Sequence, residues 1–236
     1  MWRQFLADSK IIVALDFERE IDALRLVDQL DPFRCKLKIG KQMFTRSGPA
    51  FVKTLVEKGF KVFLDLKFHD IPNTVQKSCQ AAKDLGVWMV NVHALGGGQM
   101  VCAARVGLGD FPDKPLLTAV TVLTSHDQQS LSEIGFSGDI PTAVRKLAKL
   151  ALENGADGVV SSAHEILDIR AETREDFLIV TPGIRLPGDR SHDQKRIMTP
   201  KDAITSGANY LVIGRSITKS NDPMSVIEKI ERDMTA

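Results

Sequence analysis

A length of 236 residues fits one barrel or two small domains. The 31 lysine and arginine residues nearly balance the 30 aspartate and glutamate residues, and the formal net charge is +1. This balance, together with 43% hydrophobic residues, excludes a disordered chain and argues against a nucleic-acid binder or a membrane anchor held by bulk charge.

Short runs of β-branched residues alternate along the chain with longer helical patterns. In the first helical pattern, apolar residues recur every three positions from Ile21 to Leu30, which places them along one helix face. The second pattern stops at Gly59 and the third starts at Pro72, as is common for glycine and proline at helix ends. The predicted helices cover residues 18–30, 49–58, the stretch after 72, 142–154 and 222–232. The predicted strands cover residues 11–17, 34–40, 61–68, 87–94, 116–124, 157–163, 177–184 and 209–216.

Eight strand candidates in this length give about 30 residues per unit, the size of a strand with its crossover helix and loops. The strands are almost continuously apolar, as expected where both faces are buried. The sequence therefore predicts an α/β fold, a (β/α)8 TIM barrel, with residues 1–236 as a single domain. A doubly wound sheet is disfavoured because no G-x-G-x-x-G follows an early strand. The longest loops, 125–141 and 185–199, are expected to be functional or mobile.

Cysteine usage and the first residues bear on the cell compartment. The three cysteines, Cys35, Cys79 and Cys102, are odd in number and widely spaced, which excludes a disulfide scaffold and shows no zinc-binding pattern. The first ten residues lack the apolar run of a signal peptide, and no stretch approaches the roughly 18 apolar residues that span a bilayer. The sequence therefore predicts a cytoplasmic protein with neither a membrane nor a nucleic-acid partner.

Charged side chains interrupt the apolar strands near their carboxyl ends, where a barrel carries its chemistry. They are Asp16, Lys38, Asp65, Lys67 and His93, on the first four predicted strands. Half-buried charges are costly unless they are paired, and the aspartates and lysines alternate in sign. The residues could therefore simply neutralise one another, but four of them on three adjacent strand ends favour a catalytic array.

The segment DLKFHDIPNT, residues 65–74, is the most informative motif in the chain. The two-residue period of a strand places Asp65 and Lys67 on one face. Asp70 has the opposite parity and is expected beyond the strand end, where it points away from the face of Asp65 and could reach a neighbouring subunit. Nearby carboxylates stabilise a charged lysine, so Lys67 could donate a proton from a fixed orientation.

Two glycine–arginine segments follow the last two predicted strands, TPGIR at 181–185 and VIGRS at 212–216. Gly183 and Gly214 let backbone N–H groups approach an anion, and Arg185 and Arg215 add charge. Barrels often bind phosphate in the loops after strands seven and eight. The alternative is that the glycines only form turns and the arginines face solvent.

Together with Asp16, KIG at 38–40, DQKR at 193–196 and VIGRSIT at 212–218, these motifs closely resemble the orotidine 5′-phosphate decarboxylase family over nearly the whole chain. The D-x-K-x-x-D core alone is shared with related phosphosugar decarboxylases and aldolases. The resemblance implies a homodimeric carboxy-lyase that converts orotidine 5′-phosphate to uridine 5′-phosphate in de novo pyrimidine biosynthesis. It implies that the enzyme uses no cofactor and no metal.

The resemblance also implies a role for each matching residue. Lys67 would protonate the pyrimidine carbon that loses carbon dioxide, while Asp65 and Asp70 of the partner subunit would flank the leaving carboxylate. Lys38 would complete the charge array and touch the ribose. The other implied substrate contacts are Asp16 at a ribose hydroxyl, Ile71 from the partner subunit, Thr124 at the pyrimidine edge, Pro182, and Arg185, Gln194, Gly214 and Arg215 at the phosphate.

The roles of two residues and two alternative functions stay open at this point. His93 could pack behind the site or touch the substrate, and Ser216 stands where the family usually has proline, which bears only on local loop geometry. A magnesium-dependent sugar-phosphate decarboxylase or aldolase is the nearest alternative. A non-catalytic barrel that binds a phosphoribosyl ligand is the alternative from another class.

Overall fold

Eight parallel strands close into a barrel, in chain order, in the computed structural model, which describes residues 8–186 and 198–235. The strands are β1 (Ile11–Ala14), β2 (Lys36–Gly40), β3 (Val62–Phe68), β4 (Met89–His93), β5 (Leu116–Val120), β6 (Gly158–Val160), β7 (Leu178–Pro182) and β8 (Tyr210–Ile213). Pairing of β8 with β1 closes the ring. The prediction of a (β/α)8 barrel is confirmed, whereas the assignment of residues 1–236 to a single domain stays a prediction.

Helices connect the strands and cover the outside of the barrel. They are α1 (Glu20–Val27), α2 (Lys41–Glu57), α3 (Pro72–Asp84), α4 (Gly98–Leu108), α5 (Gln128–Glu133), α6 (Ile140–Glu153), α7 (Ile166–Glu172), α8 (Pro200–Thr205), α9 (Arg215–Thr218) and α10 (Pro223–Thr235). Short 3₁₀ turns lie at Ala94–Gly96 and Ala163–Glu165. Within the described ranges, none of the helices has both the length and the apolar character needed to cross a membrane.

Most predicted boundaries differ from the observed ones by up to three residues, and two differ by more. Helix α2 begins at Lys41 rather than at residue 49, with a break at Gly48, whose φ of 65° suits glycine. Pro49 follows the break, where its missing N–H costs nothing because a new helical segment starts there. Strand β5 ends at Val120 rather than at residue 124, because the chain then turns over the barrel mouth, where Thr124 lines a pocket.

The core has two parts, as the alternation of side chains along a barrel strand requires. Outward-facing residues pack against the helices in a large apolar cluster. Inward-facing residues fill the barrel itself, and they are Ile12, Ala14, Phe63, Met89, Val120, Val160, Val180 and Val212. At the carboxyl ends of β2 and β3, the inward positions instead carry Lys38 and Asp65, so the charged residues lie directly on top of the apolar filling.

A buried lysine closes the opposite, amino-terminal mouth of the barrel. Lys36 is only 2% exposed, and its Nζ lies 3.1 Å from Oδ1 of Asp8. The same Nζ lies 5.0 Å and 4.9 Å from the ring centroids of Trp88 and Tyr210, within the range of cation–π attraction. Burial lowers the pKa of Lys36, and Asp8 opposes that effect. The sequence analysis did not single out this cluster, which lies at the far end from the charged pocket.

Candidate active site

The end of β3 is irregular at the residues that carry the charges. Lys67 has a φ of 52° and is the one non-glycine residue with a positive φ among residues 8–186 and 198–235. Leu64 pairs with Val90 and Phe68 with Val92, so β3 uses two more residues than β4 over this stretch. This bulge turns Lys67 toward the barrel mouth, and bulges commonly re-aim side chains next to active sites.

Four alternating charges form a continuous row over the ends of β1, β2 and β3, with Asp16 just beyond the last residue of β1 rather than on the strand as predicted. Lys67 Nζ lies 2.6 Å from Asp65 Oδ1, and Lys38 Nζ lies 3.3 Å from the other oxygen, Asp65 Oδ2. Lys38 Nζ also lies 3.6 Å from Asp16 Oδ1. The structure therefore brings together the four residues that the sequence analysis placed in a charge array, and we refer to Asp16, Lys38, Asp65 and Lys67 as the charge row.

Asp65 is the centre of the row and is 8% exposed. Burial by itself raises the pKa of its carboxyl group. The opposite charges of Lys38 and Lys67, with hydrogen bonds from Lys67 and Asn91, outweigh burial and lower that pKa below the usual value. Asp65 is therefore ionised at neutral pH and faces two lysine ammonium groups.

Asn91 holds the bulge from the neighbouring strand and was missed in the sequence analysis. Its Nδ2 donates to Asp65 Oδ1 at 2.6 Å, and its Oδ1 accepts from the backbone N–H of Lys67 at 2.8 Å. The side chain is fully buried. A polar residue at an inward position of the apolar strand MVNVH was the available signal.

A pocket of about 430 Å³, counting its open part, lies above the barrel filling beside the charge row. Lys38, Asp65 and Lys67 form one side of this pocket, and its other lining residues are Phe63, Val120, Val122, Leu123, Thr124, Val160, Ser161, Pro182 and Val212. The pocket thus has a charged wall and a mainly apolar wall, which suits a flat ring that carries a charged substituent.

Ser161 adds a fixed polar point to the apolar wall and was also missed. Its hydroxyl donates to Glu165 Oε2 at 2.5 Å and lies 3.1 Å from Thr121 Oγ1. All three side chains are buried. The serines at 161 and 162 lie at the end of the predicted strand 157–163 and directly follow the observed β6, a signal that the sequence analysis did not use.

Asp70 and Ile71 lie beyond the end of β3 and do not line the pocket of their own chain. Asp70 is exposed, and its Oδ1 accepts from the backbone N–H of Ile71 at 2.7 Å. Ile71 is 65% exposed although it is a large apolar residue. Their placement agrees with the expectation that Asp70 points away from the pocket formed by its own strand.

The glycine–arginine segments lie at the ends of β7 and β8. Pro182 ends β7 and lines the pocket, and the following Gly183 has a φ of 84°. Nη1 of Arg185 donates to the carbonyl of Ile184 at 3.0 Å. Gly214 precedes α9, and Arg215 is the first residue of that helix. Gln194 lies outside the described residues.

His93 stands at the end of β4, beside the charge row but in a separate cavity. Burial first, and then the nearby His69, Lys67, Lys41 and His126, lower the pKa of His93 from 6.5 to about 4. Its ring centroid lies 5.5 Å from that of His69. The buried Nδ1 has no hydrogen-bond partner in the described part of the chain. His93 is therefore neutral at physiological pH and lines a largely apolar cavity with His126.

A (β/α)8 barrel with acid and base groups in a pocket at the carboxyl ends of its strands defines a barrel-type enzyme. Residues 9–230 match the sequence model of the "Orotidine 5′-phosphate decarboxylase / HUMPS family", and the chain belongs to this family. The resemblance seen in the sequence motifs is thereby confirmed.

Curated relatives and solved structures agree with this membership. A protein named orotidine 5′-phosphate decarboxylase from Legionella pneumophila is 55% identical over 226 residues, which are 95% of this chain and 99% of the relative. A protein of the same name from Nitrosococcus oceani is 53% identical over 227 residues, covering 96% and 98% of the two chains. The crystal structure of orotidine 5′-phosphate decarboxylase from Lactobacillus acidophilus superposes with a TM-score of 0.86 at 38% identity, covering 97% of this chain and 100% of that one.

Proposed function

We propose that this chain is a carboxy-lyase that converts orotidine 5′-phosphate to uridine 5′-phosphate without a cofactor, as a step of pyrimidine nucleotide synthesis. The names of relatives that match over nearly their whole length support the substrate. The observation that carries the proposal is the charge row, in which Lys67 Nζ lies 2.6 Å from Asp65 Oδ1 beside a pocket with an apolar wall.

The reaction breaks the bond between a pyrimidine carbon and its carboxylate. Carbon dioxide leaves, the bonding electron pair stays on the ring carbon, and the Lys67 ammonium donates the proton that forms the new C–H bond. Lysine then regains a proton from water. Negative charge develops on a carbon that has no adjacent carbonyl group to accept it. A fixed ammonium group therefore stabilises the transition state more than the bound substrate.

The carboxylates have a second task in this proposal. Asp65, held beside Lys67, and Asp70 of the partner subunit flank the substrate carboxylate, so that loss of carbon dioxide relieves repulsion. A two-fold homodimer would bring Asp70 and Ile71 of each subunit to the pocket of the other. The exposure of both residues beyond β3, away from the pocket of their own chain, supports this arrangement.

The remaining contacts orient the nucleotide. Asp16 and Lys38 hold ribose hydroxyls, Thr124 reads the pyrimidine edge beside Pro182, and the phosphate binds at the ends of β7 and β8. The proposed phosphate ligands are Arg185, Gln194, Gly214 and Arg215. Contacts to the dianionic phosphate would supply binding energy that orders the pocket before the chemical step. Most of the loop at 185–199, which the sequence analysis expects to be functional or mobile, lies outside the described residues.

The test is a continuous ultraviolet assay of orotidine 5′-phosphate turnover, with and without a metal chelator. We expect full activity with chelator present, and loss of turnover in a Lys67→Ala variant that keeps its circular dichroism spectrum. Near-normal activity of the Lys67→Ala variant would end the assignment of Lys67. Activity that disappears with chelator would favour a magnesium-dependent sugar-phosphate enzyme, and binding without turnover in the unaltered protein would favour a ligand-binding barrel.

A further inference from the structure

The side-chain amide of Asn91 makes two hydrogen bonds, one as donor and one as acceptor, and both go to the charged end of β3. Its Nδ2 donates to Asp65 Oδ1, and its Oδ1 accepts the backbone N–H of Lys67, at 2.6 Å and 2.8 Å. The residue lies in the middle of β4 with no exposed surface. One side chain on a regular strand therefore fixes both a carboxylate and a backbone group of the adjacent bulge.

The bulge needs such a partner. Between the pairs Leu64–Val90 and Phe68–Val92 the regular ladder is interrupted, so the N–H of Lys67 has no strand carbonyl opposite it. Its φ of 52° is strained for a residue with a side chain and persists only where the surroundings impose it. Asn91 supplies the missing acceptor and thereby holds the backbone from which the Lys67 ammonium projects.

We propose that Asn91 is a positioning residue for the reaction, because its amide locks the Asp65 carboxylate and the Lys67 backbone into one geometry. This inference rests on the proposed function of Lys67 and Asp65. Few side chains could replace it. The position requires a donor toward Asp65 and an acceptor toward Lys67 within one short side chain, and a carboxylate there would face Asp65 with like charge.

The same contact affects the ionisation of Asp65. The hydrogen bond from Asn91 acts with Lys38 and Lys67 to keep the pKa of the Asp65 carboxyl group low against the effect of burial. Removing the donor should therefore move the acid limb of the pH–rate profile to higher pH. A residue that served only to pack the barrel would leave that limb in place.

Thr118 offers a matched control. It is fully buried, pairs with Asn91 in the β4–β5 register, and makes its hydrogen bond to the carbonyl of Val90 rather than to the charge row. Thr118→Val removes a buried polar group of the same barrel layer and keeps its shape. It should leave kcat and the pH profile close to those of the unaltered protein.

The experiment measures kcat, KM and the pH profile with orotidine 5′-phosphate for Asn91→Ala, Asn91→Asp and Thr118→Val. We expect Asn91→Ala to lower kcat by about 100-fold with little change in KM, as a small misplacement of reacting groups does. Asn91→Asp keeps the acceptor for Lys67 but loses the donor. It should regain activity as the pH is lowered, because the protonated new carboxyl group can again donate to Asp65.

The outcomes separate this inference from the proposed function. If the unaltered protein does not turn over orotidine 5′-phosphate, the proposed function fails. If it does, and the Asn91 variants match Thr118→Val in kcat and pH profile, the positioning role is overturned. Should Asn91→Ala not fold, the pH-dependent recovery of Asn91→Asp still decides, and an Asn91→Asp variant with the unaltered pH profile refutes the inference.

Discussion

His93 should make the protein less stable in mild acid, and replacing it should remove that loss. Burial, followed by the nearby positive groups, lowers the pKa of His93 from 6.5 to about 4. Above pH 6.5 the ring is neutral in both the folded and the unfolded chain. As the pH falls below that value the unfolded chain binds a proton and the folded chain does not, so stability is lost until the pH reaches about 4.

The size of the effect follows from these two pKa values. At pH 5 the unfolded ring is almost fully protonated, whereas the folded ring is about one-tenth protonated. The difference corresponds to a loss of at most about 2 kcal/mol in the free energy of unfolding between pH 8 and pH 5, and of about 1 kcal/mol once solvent screening around this half-buried ring is included. His93→Leu removes the titrating ring and suits a cavity that Leu95, Leu131 and Phe136 also line.

Urea unfolding at pH 8 and pH 5 measures this effect. The drop in unfolding free energy between the two pH values should be about 1–2 kcal/mol smaller for His93→Leu than for the unaltered protein. His164→Gln is the control, because His164 is exposed. It should leave the drop unchanged. An equal drop in His93→Leu and the unaltered protein would refute the argument that a half-buried, neutral His93 couples folding to pH.

Substitutions at three further residues test other parts of the structure. Arg215→Ala should mainly raise KM for orotidine 5′-phosphate, and it should change the turnover of orotidine, which lacks the phosphate, much less. An equal loss of kcat/KM with both substrates would contradict the phosphate role. Gly107→Ala should lower the unfolding free energy by about 1–3 kcal/mol, since an added Cβ would lie 2.2 Å from the Gln76 carbonyl oxygen, and a melting curve measures it. Lys36→Ala should lower the free energy of unfolding, measured in urea, by about 2–4 kcal/mol, and Lys36→Met should lower it clearly less, because methionine fills most of the same volume. Equal losses in the two variants would show that packing at this mouth contributes little.

The barrel could be predicted from the sequence because the same strand-and-helix pattern repeats eight times along the chain. Each unit contains an apolar strand followed by a helical pattern, and closure of eight such units follows from their number and length. The charged strand ends could be found for the same reason. Lys38 and Asp65 interrupt strands that are otherwise apolar, and parallel strands deliver their carboxyl ends to one mouth.

The geometry of that mouth could not be predicted, because it depends on pairing between strands. The two-residue period predicts a shared face for Asp65 and Lys67. In the structure, both side chains line the same pocket, but Lys67 does so because a bulge gives its backbone a positive φ. No local preference of lysine indicates that conformation. It is set by Asn91, which is 24 residues away in the chain.

The balance of charges within the charge row explains why the proposed dimer would need a carboxylate from the partner subunit. Two carboxylates and two lysines of one chain neutralise each other, which allows Lys38 and Asp65 to stay buried at the barrel mouth. Asp70 of the partner subunit would add the uncompensated negative charge beside the substrate carboxylate. Asp70 accepts only a hydrogen bond from Ile71 among the contacts described, so Asp70→Ala should leave the fold intact while it lowers kcat.

Subunit mixing tests whether the site is shared. In the proposed dimer, Lys67→Ala subunits alone and Asp70→Ala subunits alone would form defective sites, whereas a mixed dimer would contain one site with both native residues. Random re-pairing makes half of the dimers mixed, so the mixture should recover about a quarter of the native activity. Mixing Lys67→Ala with Asp65→Ala should recover none, because those two residues belong to the same chain's site. A mixture of the first pair that stays as inactive as its components would refute the shared site, since each pocket would then use its own Asp70.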